Sequence, residues 1–211
     1  YRLQELNVPI RYLEFGNEFY LNDEYYKEVF PSVNSYVDRS IEYATTFRNF
    51  QLPQTDETKI GMVGADIPES GPGRRRLWLD NALKRLPDTD NIDAIVIHDY
   101  IGEFPANSTS CSGSFQTSAL YSYFEEAYVE EDYLKNETFN LIDDYNSSKF
   151  SSKPLEIWLT EFNMLDNNNY RIGTWSHGLF NSIMALKYLE TEAITKVISH
   201  TLTSDGVYGN I

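Results

Sequence analysis

Short apolar runs alternate along this chain with longer stretches in which apolar residues recur every three or four positions, the succession expected of βα units around a parallel sheet. The runs predict strands near residues 10–15, 59–63, 94–98, 155–160 and 197–201. Between them, Val33, Tyr36, Val37, Ile41, Ala44 and Phe47 mark one buried helix face, and Trp175, Leu179, Ile183, Leu186 and Leu189 mark another. Leu77, Ala82, Leu83 and Leu86 mark a shorter helix, and Leu120, Tyr123, Phe124, Ala127 and Tyr128 begin a further one. The latter follows a segment, 100–118, that is too long for an ordinary connection and reads equally as a functional loop or as a poorly ordered surface insertion. No internal repeat or low-complexity linker interrupts the pattern. Five parallel strands alone would leave both sheet edges unpaired, so the chain is expected to be a piece of a longer polypeptide.

Composition changes this picture little but excludes several partners. With 211 residues, 41% of them hydrophobic and 15% aromatic, the chain can bury a sizeable core and reads as one folded region. Its 17 Lys and Arg against 32 Asp and Glu give a formal charge of −15, which repels nucleic acid and anionic membrane surfaces. The longest apolar runs, 94–97 and 183–186, fall far short of the roughly 20 residues of a membrane-spanning helix. The single cysteine, Cys111, forms no disulfide within the chain and reads as an inert thiol. Asn-x-Ser/Thr sequons at Asn107, Asn136 and Asn146 are about as frequent as chance gives and support an extracellular or cell-surface location only weakly.

The candidate chemistry lies in two glutamates that close apolar runs. Glu18 follows Phe15, Gly16 and Asn17, and Glu161 follows Trp158, Leu159 and Thr160. Glycosidic bond cleavage requires two such carboxyl groups, one donating a proton to the leaving oxygen and the other attacking the sugar or activating water. Any single acid in this acidic chain reads as a surface charge; the pair gains weight from His98 and Tyr100 at a third strand end between them. Glu14 shares strand parity with Glu18 and is expected to hold a structural hydrogen bond. Trp158 and Trp175 are expected in the core, while Trp78 is a candidate for stacking on sugar. Arg74, Arg75 and Arg76 form the chain's only basic run. They either hold uronate or sulfate groups of an acidic polysaccharide or form a solvated helix turn paired with local acids.

These motifs resemble those of the clan A retaining glycoside hydrolases, closest in motif to the α-L-arabinofuranosidase-like branch. The run from Glu14 to Glu18 is similar to their fourth-strand motif, in which Asn-Glu supplies the acid/base. The run from Trp158 to Asn163 is similar to their seventh-strand motif, whose Glu is the nucleophile, and Ile95 to Tyr100 to the sixth-strand end, where a His and a Tyr line the sugar site. The resemblance implies an α/β fold, a (β/α)8 TIM barrel of which this chain covers about strands 4 to 8. Residues 1–211 would then be the C-terminal portion of one catalytic barrel whose first three βα units are absent, since such a barrel takes about 250 residues. It implies a retaining O-glycosidase acting on a polysaccharide or oligosaccharide by double displacement, with exo-acting arabinofuranosidase one specificity. Glu18 and Glu161 would be catalytic, Asn17, His98 and Tyr100 substrate-binding, and no metal or cofactor is called for. A second reading is a catalytically silent, glycan-binding or structural barrel in an extracellular assembly. A third, a metal-dependent hydrolase using His98, Asp99 and a Glu, has few ligands to draw on.

Overall fold

The computed structural model describes residues 9–49, 58–65, 73–87, 91–101, 135–149, 153–164 and 175–200. The elements are β1 (Tyr12–Phe15), α1 (Glu24–Val29), α2 (Val33–Asn49), β2 (Lys59–Val63), α3 (Trp78–Arg85) and β3 (Ala94–Ile101). They continue with a π-helical turn (Lys135–Phe139) leading into α4 (Asn140–Ser148), then β4 (Glu156–Met164), α5 (Trp175–Leu189) and β5 (Ile194–Ser199). The strands form one sheet in the order β1-β2-β3-β4-β5. A doubly wound sheet reverses its strand order at a switch point; this one never does, which is the order of a βα barrel. Pairing is parallel where its register is resolved, with Tyr12 opposite Lys59 and Gly61 opposite Ala94.

The chain divides into two compact units, Tyr1–Val96 with Thr138–Ile157, and Ile97–Glu137 with Trp158–Ile211, so the division falls within β3 and β4. In the first unit, β2 and the start of β3 are buried along their length, as parallel strands covered on both faces are. Tyr36, Val37, Ser40 and Ala44 of α2 and Trp78, Leu79, Ala82 and Leu83 of α3 supply cover, and both predicted helices are present.

A buried carboxylate ties this unit together at the N-terminal ends of its strands. Asp93, just before β3, accepts from Arg48 at 2.6 Å and from the Ile60 backbone N–H at 2.6 Å, and pairs with Lys153; its side chain is wholly buried. Arg48 also donates to the Thr58 carbonyl at 2.6 Å. Removing one partner of a buried pair leaves uncompensated charge and an unpaired N–H, at a cost of about 3–5 kcal/mol. Asp93→Ala should therefore lower unfolding stability by that amount in a urea titration, and a loss below about 1 kcal/mol would contradict this role for Asp93.

In the second unit, α5 buries His177, Phe180, Asn181, Met184 and Tyr188. This is not the face expected from the sequence: Trp175 is 79% exposed, Leu186 65% and Leu189 58%. Phe180, Met184 and Tyr188 recur at the same four-residue step as the expected stripe, so two faces satisfy the helical period. The polar residues of the second stripe have hydrogen-bond partners waiting in the sheet, which removes the cost of burying them. Trp158 is buried as expected, with the Lys196 ammonium over its ring.

Four strands run differently from their predicted limits. β1 begins only at Tyr12, β3 and β4 continue through Ile101 and Met164, and β5 begins at Ile194, earlier than expected. The expected helix from Leu120, the long segment before it, Cys111 and Asn107 lie outside the described residues. No helix among the described residues is long and apolar enough to cross a membrane. At Asn146 the sequon amide is already engaged: its Nδ2 donates to the Leu155 carbonyl at 3.2 Å and its Oδ1 accepts from the Leu155 N–H at 2.8 Å.

Candidate active site

Glu18 lies beyond β1 rather than within it. The strand stops at Phe15 because Gly16 adopts φ +97°, a left-handed value that L side chains rarely take. A Cβ at this glycine would stand 2.8 Å from the Phe19 ring and 3.2 Å from that of Tyr36. The strand parity linking Glu14 to Glu18 is therefore broken at Gly16. Two backbone bonds then shape the turn, Phe19 N–H to the Asn17 carbonyl and Leu21 N–H to the Glu18 carbonyl, both 2.9 Å.

The turn is anchored from below by aromatic packing. Phe19 meets Phe30 at 4.6 Å, Tyr26 at 5.4 Å and Tyr36 at 5.7 Å between ring centroids, spacings typical of favourable aromatic pairs. The Tyr36 hydroxyl donates to the Phe15 carbonyl at 2.6 Å and accepts from the Val63 N–H at 2.8 Å, clamping the ends of β1 and β2. Burial pushes the Tyr36 phenol well above the ordinary tyrosine range, so it remains a donor. Glu18 itself is half-buried and accepts from the Tyr20 hydroxyl at 2.9 Å. Asn17, beside it, is exposed.

The second group of candidates belongs to the other unit. Glu161 lies inside β4, and its Oε2 accepts from the Tyr100 hydroxyl at 2.5 Å; the same oxygen is 3.7 Å from Nδ1 of buried His98. His98 and Tyr100 share a face of β3 because they are two residues apart. Asp99, between them, faces the other way and accepts from the Tyr188 hydroxyl of α5. That alternation works against a metal site built from His98 and Asp99 together. It leaves Glu161 a carboxylate held in one orientation by a phenol and flanked by an imidazole, with its Oε1 not committed to Tyr100.

Behind Glu161 a buried polar hub fixes the strand. Asn163 Oδ1 accepts from the Met164 N–H at 2.8 Å and Asn181 Nδ2 at 2.9 Å, and its Nδ2 donates to the His200 carbonyl. The fourth contact, His177 Nε2 to the same Oδ1 at 2.7 Å, requires the proton on Nε2, because an amide oxygen only accepts. Asn163 and His177 are fully buried.

The structure thus brings His98, Tyr100 and Glu161 together in one unit and Asn17 and Glu18 together in the other. Tyr20, Asn163, His177 and Asn181 were not foreseen. Asn163 stands two residues past Glu161 on β4, and His177 and Asn181 are four apart on one helix, so the periods put each on a shared face without showing what it holds; Tyr20 lies in the turn beyond Gly16, where no strand period runs. Trp78 is only 2% exposed and packs on Tyr36 at 5.8 Å, which removes it from sugar stacking.

No protein-family model matches the chain, and no curated protein matches it by sequence. Solved structures do match. The GH51 arabinofuranosidase from Xanthomonas axonopodis pv. citri is similar over 93% of this chain and 37% of its own, at 14% identity and a TM-score of 0.62. AbfB, a family 51 alpha-L-arabinofuranosidase from Bifidobacterium longum, is similar over 93% of this chain and 38% of its own, at 10% identity and a TM-score of 0.66. The chain therefore spans well under half the length of these neighbours, and its fold is that of part of a (β/α)8 TIM barrel such as these clan A glycoside hydrolases possess.

Proposed function

We propose that this chain is the C-terminal portion of the catalytic barrel of a retaining O-glycosidase that hydrolyses a polysaccharide or oligosaccharide, with Glu161 as nucleophile and Glu18 as acid/base. The observation that carries the reading is the Tyr100–Glu161 hydrogen bond beside His98, between adjacent strands of a sheet with barrel order. A donor on Oε2 fixes the carboxylate and leaves the second oxygen to attack. The fold shared with arabinofuranosidases supports a carbohydrate substrate.

In the first step Glu161 attacks the anomeric carbon while Glu18 gives its proton to the leaving oxygen, and the glycosidic bond breaks. In the second, Glu18 takes a proton from water, whose oxygen attacks the same carbon and frees Glu161. Asn17 would hold the sugar 2-hydroxyl, and His98 and Tyr100 would line the sugar site. The working site would include loops from βα units upstream, and the location proposed is outside the cell or at its surface, where polymeric glycans are met.

Product stereochemistry tests the proposal. The first-formed sugar should keep the anomeric configuration of the substrate, as read by NMR within the first minutes of digestion. An inverted first product would overturn it, since inverting enzymes hold their carboxyl groups about 6.5–9.5 Å apart rather than about 5–5.5 Å. Glycan binding without any hydrolysis would instead favour the silent barrel.

A further inference from the structure

Glu18 stands in a turn, where no strand ladder runs. The backbone bonds of that turn, from the Phe19 N–H to the Asn17 carbonyl and from the Leu21 N–H to the Glu18 carbonyl, fix the main chain and leave the long side chain its own torsions. Tyr20 reaches the carboxyl from within the same turn, its hydroxyl donating to Oε1 at 2.9 Å while its ring is only 1% exposed. Tyr20 is itself held by the start of the α3 connection. Arg75 lies over the Tyr20 ring, 5.2 Å from its centroid. Its neighbour Arg74 donates to the Phe30 carbonyl at 2.6 Å and lies 4.9 Å from the Trp78 ring centroid, and Gly73, at φ +60°, supplies the left-handed residue before them. Two cations on aromatic faces thus fasten this connection to the segment around Glu18. Arg74 serves the fold, and Arg75 packs on the ring whose hydroxyl meets the acid/base candidate.

We propose that Tyr20 is a positioning residue for the acid/base: its hydroxyl fixes the plane of the Glu18 carboxyl and assigns the catalytic proton to Oε2. This role rests on the reading of Glu18 as the acid/base. A protonated carboxyl has one carbonyl-type oxygen and one hydroxyl oxygen, and the carbonyl-type oxygen is the better acceptor. With a buried phenol donating to Oε1, the acid proton is carried on Oε2. In the first step that proton passes from Oε2 to the leaving oxygen as the bond to the anomeric carbon breaks, and Tyr20 keeps its own proton throughout. Proton transfer depends on geometry before it depends on acidity, so a carboxyl that turns freely is a poorer donor. Tyr100 makes the corresponding bond to Oε2 of Glu161, and a tyrosine hydroxyl therefore meets one oxygen of each candidate glutamate.

The test is Tyr20→Phe in the full-length protein, assayed on a series of aryl glycosides, from phenyl to dinitrophenyl, of the sugar that the wild type releases. The variant keeps the buried ring that Arg75 covers and loses only the hydroxyl. On the phenyl glycoside kcat/KM should fall about 10- to 100-fold, the range that a hydrogen bond to a charged group gives. On the dinitrophenyl glycoside, whose leaving oxygen departs without a proton, the fall should stay within about threefold. A smaller folded fraction lowers both rates by the same factor, so the contrast between them isolates proton donation. In the Glu18→Ala background Tyr20→Phe should cost no more than about threefold on either substrate, because no carboxyl is left to orient. No loss in Tyr20→Phe, equal losses on both glycosides, or a further loss of about tenfold on top of Glu18→Ala overturns the role of Tyr20. If Glu18→Ala itself shows no dependence on the leaving group, or the wild type hydrolyses no glycoside, the acid/base reading fails and the role of Tyr20 fails with it.

Discussion

Glu161→Ala should abolish normal glycoside hydrolysis, lowering kcat by at least about 10⁴-fold, because on the proposed reading it removes the carboxylate that forms the covalent intermediate. Added azide should restore turnover by attacking the anomeric carbon from the vacated side, giving a glycosyl azide of inverted configuration. The alanine leaves the Tyr100 hydroxyl and His98 in place, so the loss reports chemistry rather than collapse of β4, whose end is held independently by Asn163. Wild-type-like hydrolysis in this variant would refute the assignment.

Glu18→Ala should also be severe, costing about 10²- to 10⁴-fold, the span of general acid catalysis. The loss should depend on the leaving group. Substrates whose leaving oxygen departs without a proton, such as dinitrophenyl glycosides, should be cleaved to the intermediate nearly normally, and azide should then give an azide of retained configuration. The contrast between the two azide products separates nucleophile from acid/base. Equal losses on activated and unactivated substrates would remove Glu18 from the acid role.

Much of the barrel was legible because parallel strands covered on both faces read as unbroken apolar runs. The run at 59–63 became β2 at its predicted limits, and the periodic residues around Tyr36, Val37 and Ala44 did form a buried face. The failures have physical causes. In α5 the sequence offered two stripes at the helical period, and hydrogen-bond partners on β4 and β3 decided for the more polar one containing His177, Asn181 and Tyr188. Periodicity counts apolar residues and does not see a partner on another element.

For the candidate site, the sequence placed His98 and Tyr100 together at one strand end, and the structure brings both to Glu161. Strand parity was not enough at Glu18, where one left-handed glycine ends the strand and replaces parity with a turn. The supporting residues were hidden for the same reason as the α5 face: Tyr20 and Asn163 matter through what they hold, which a linear pattern does not display. The basic run was visible at once, but its split between a structural Arg74 and an Arg75 stacked near the acid depended on contacts with Phe30, Trp78 and Tyr20.

The Asn146 side chain does for Leu155 what a neighbouring strand would do, supplying one donor and one acceptor just before β4 begins. Its sequon makes that bond sensitive to the choice of expression host. A eukaryotic secretory pathway can attach a glycan to the same amide nitrogen while the chain is still emerging, before α4 and β4 have met. The sugar would then occupy the group that receives Leu155, and the strand carrying Glu161 would lose its entry contact. A host that leaves sequons unmodified, or an Asn146→Asp form whose carboxylate still accepts from the Leu155 N–H, avoids that competition.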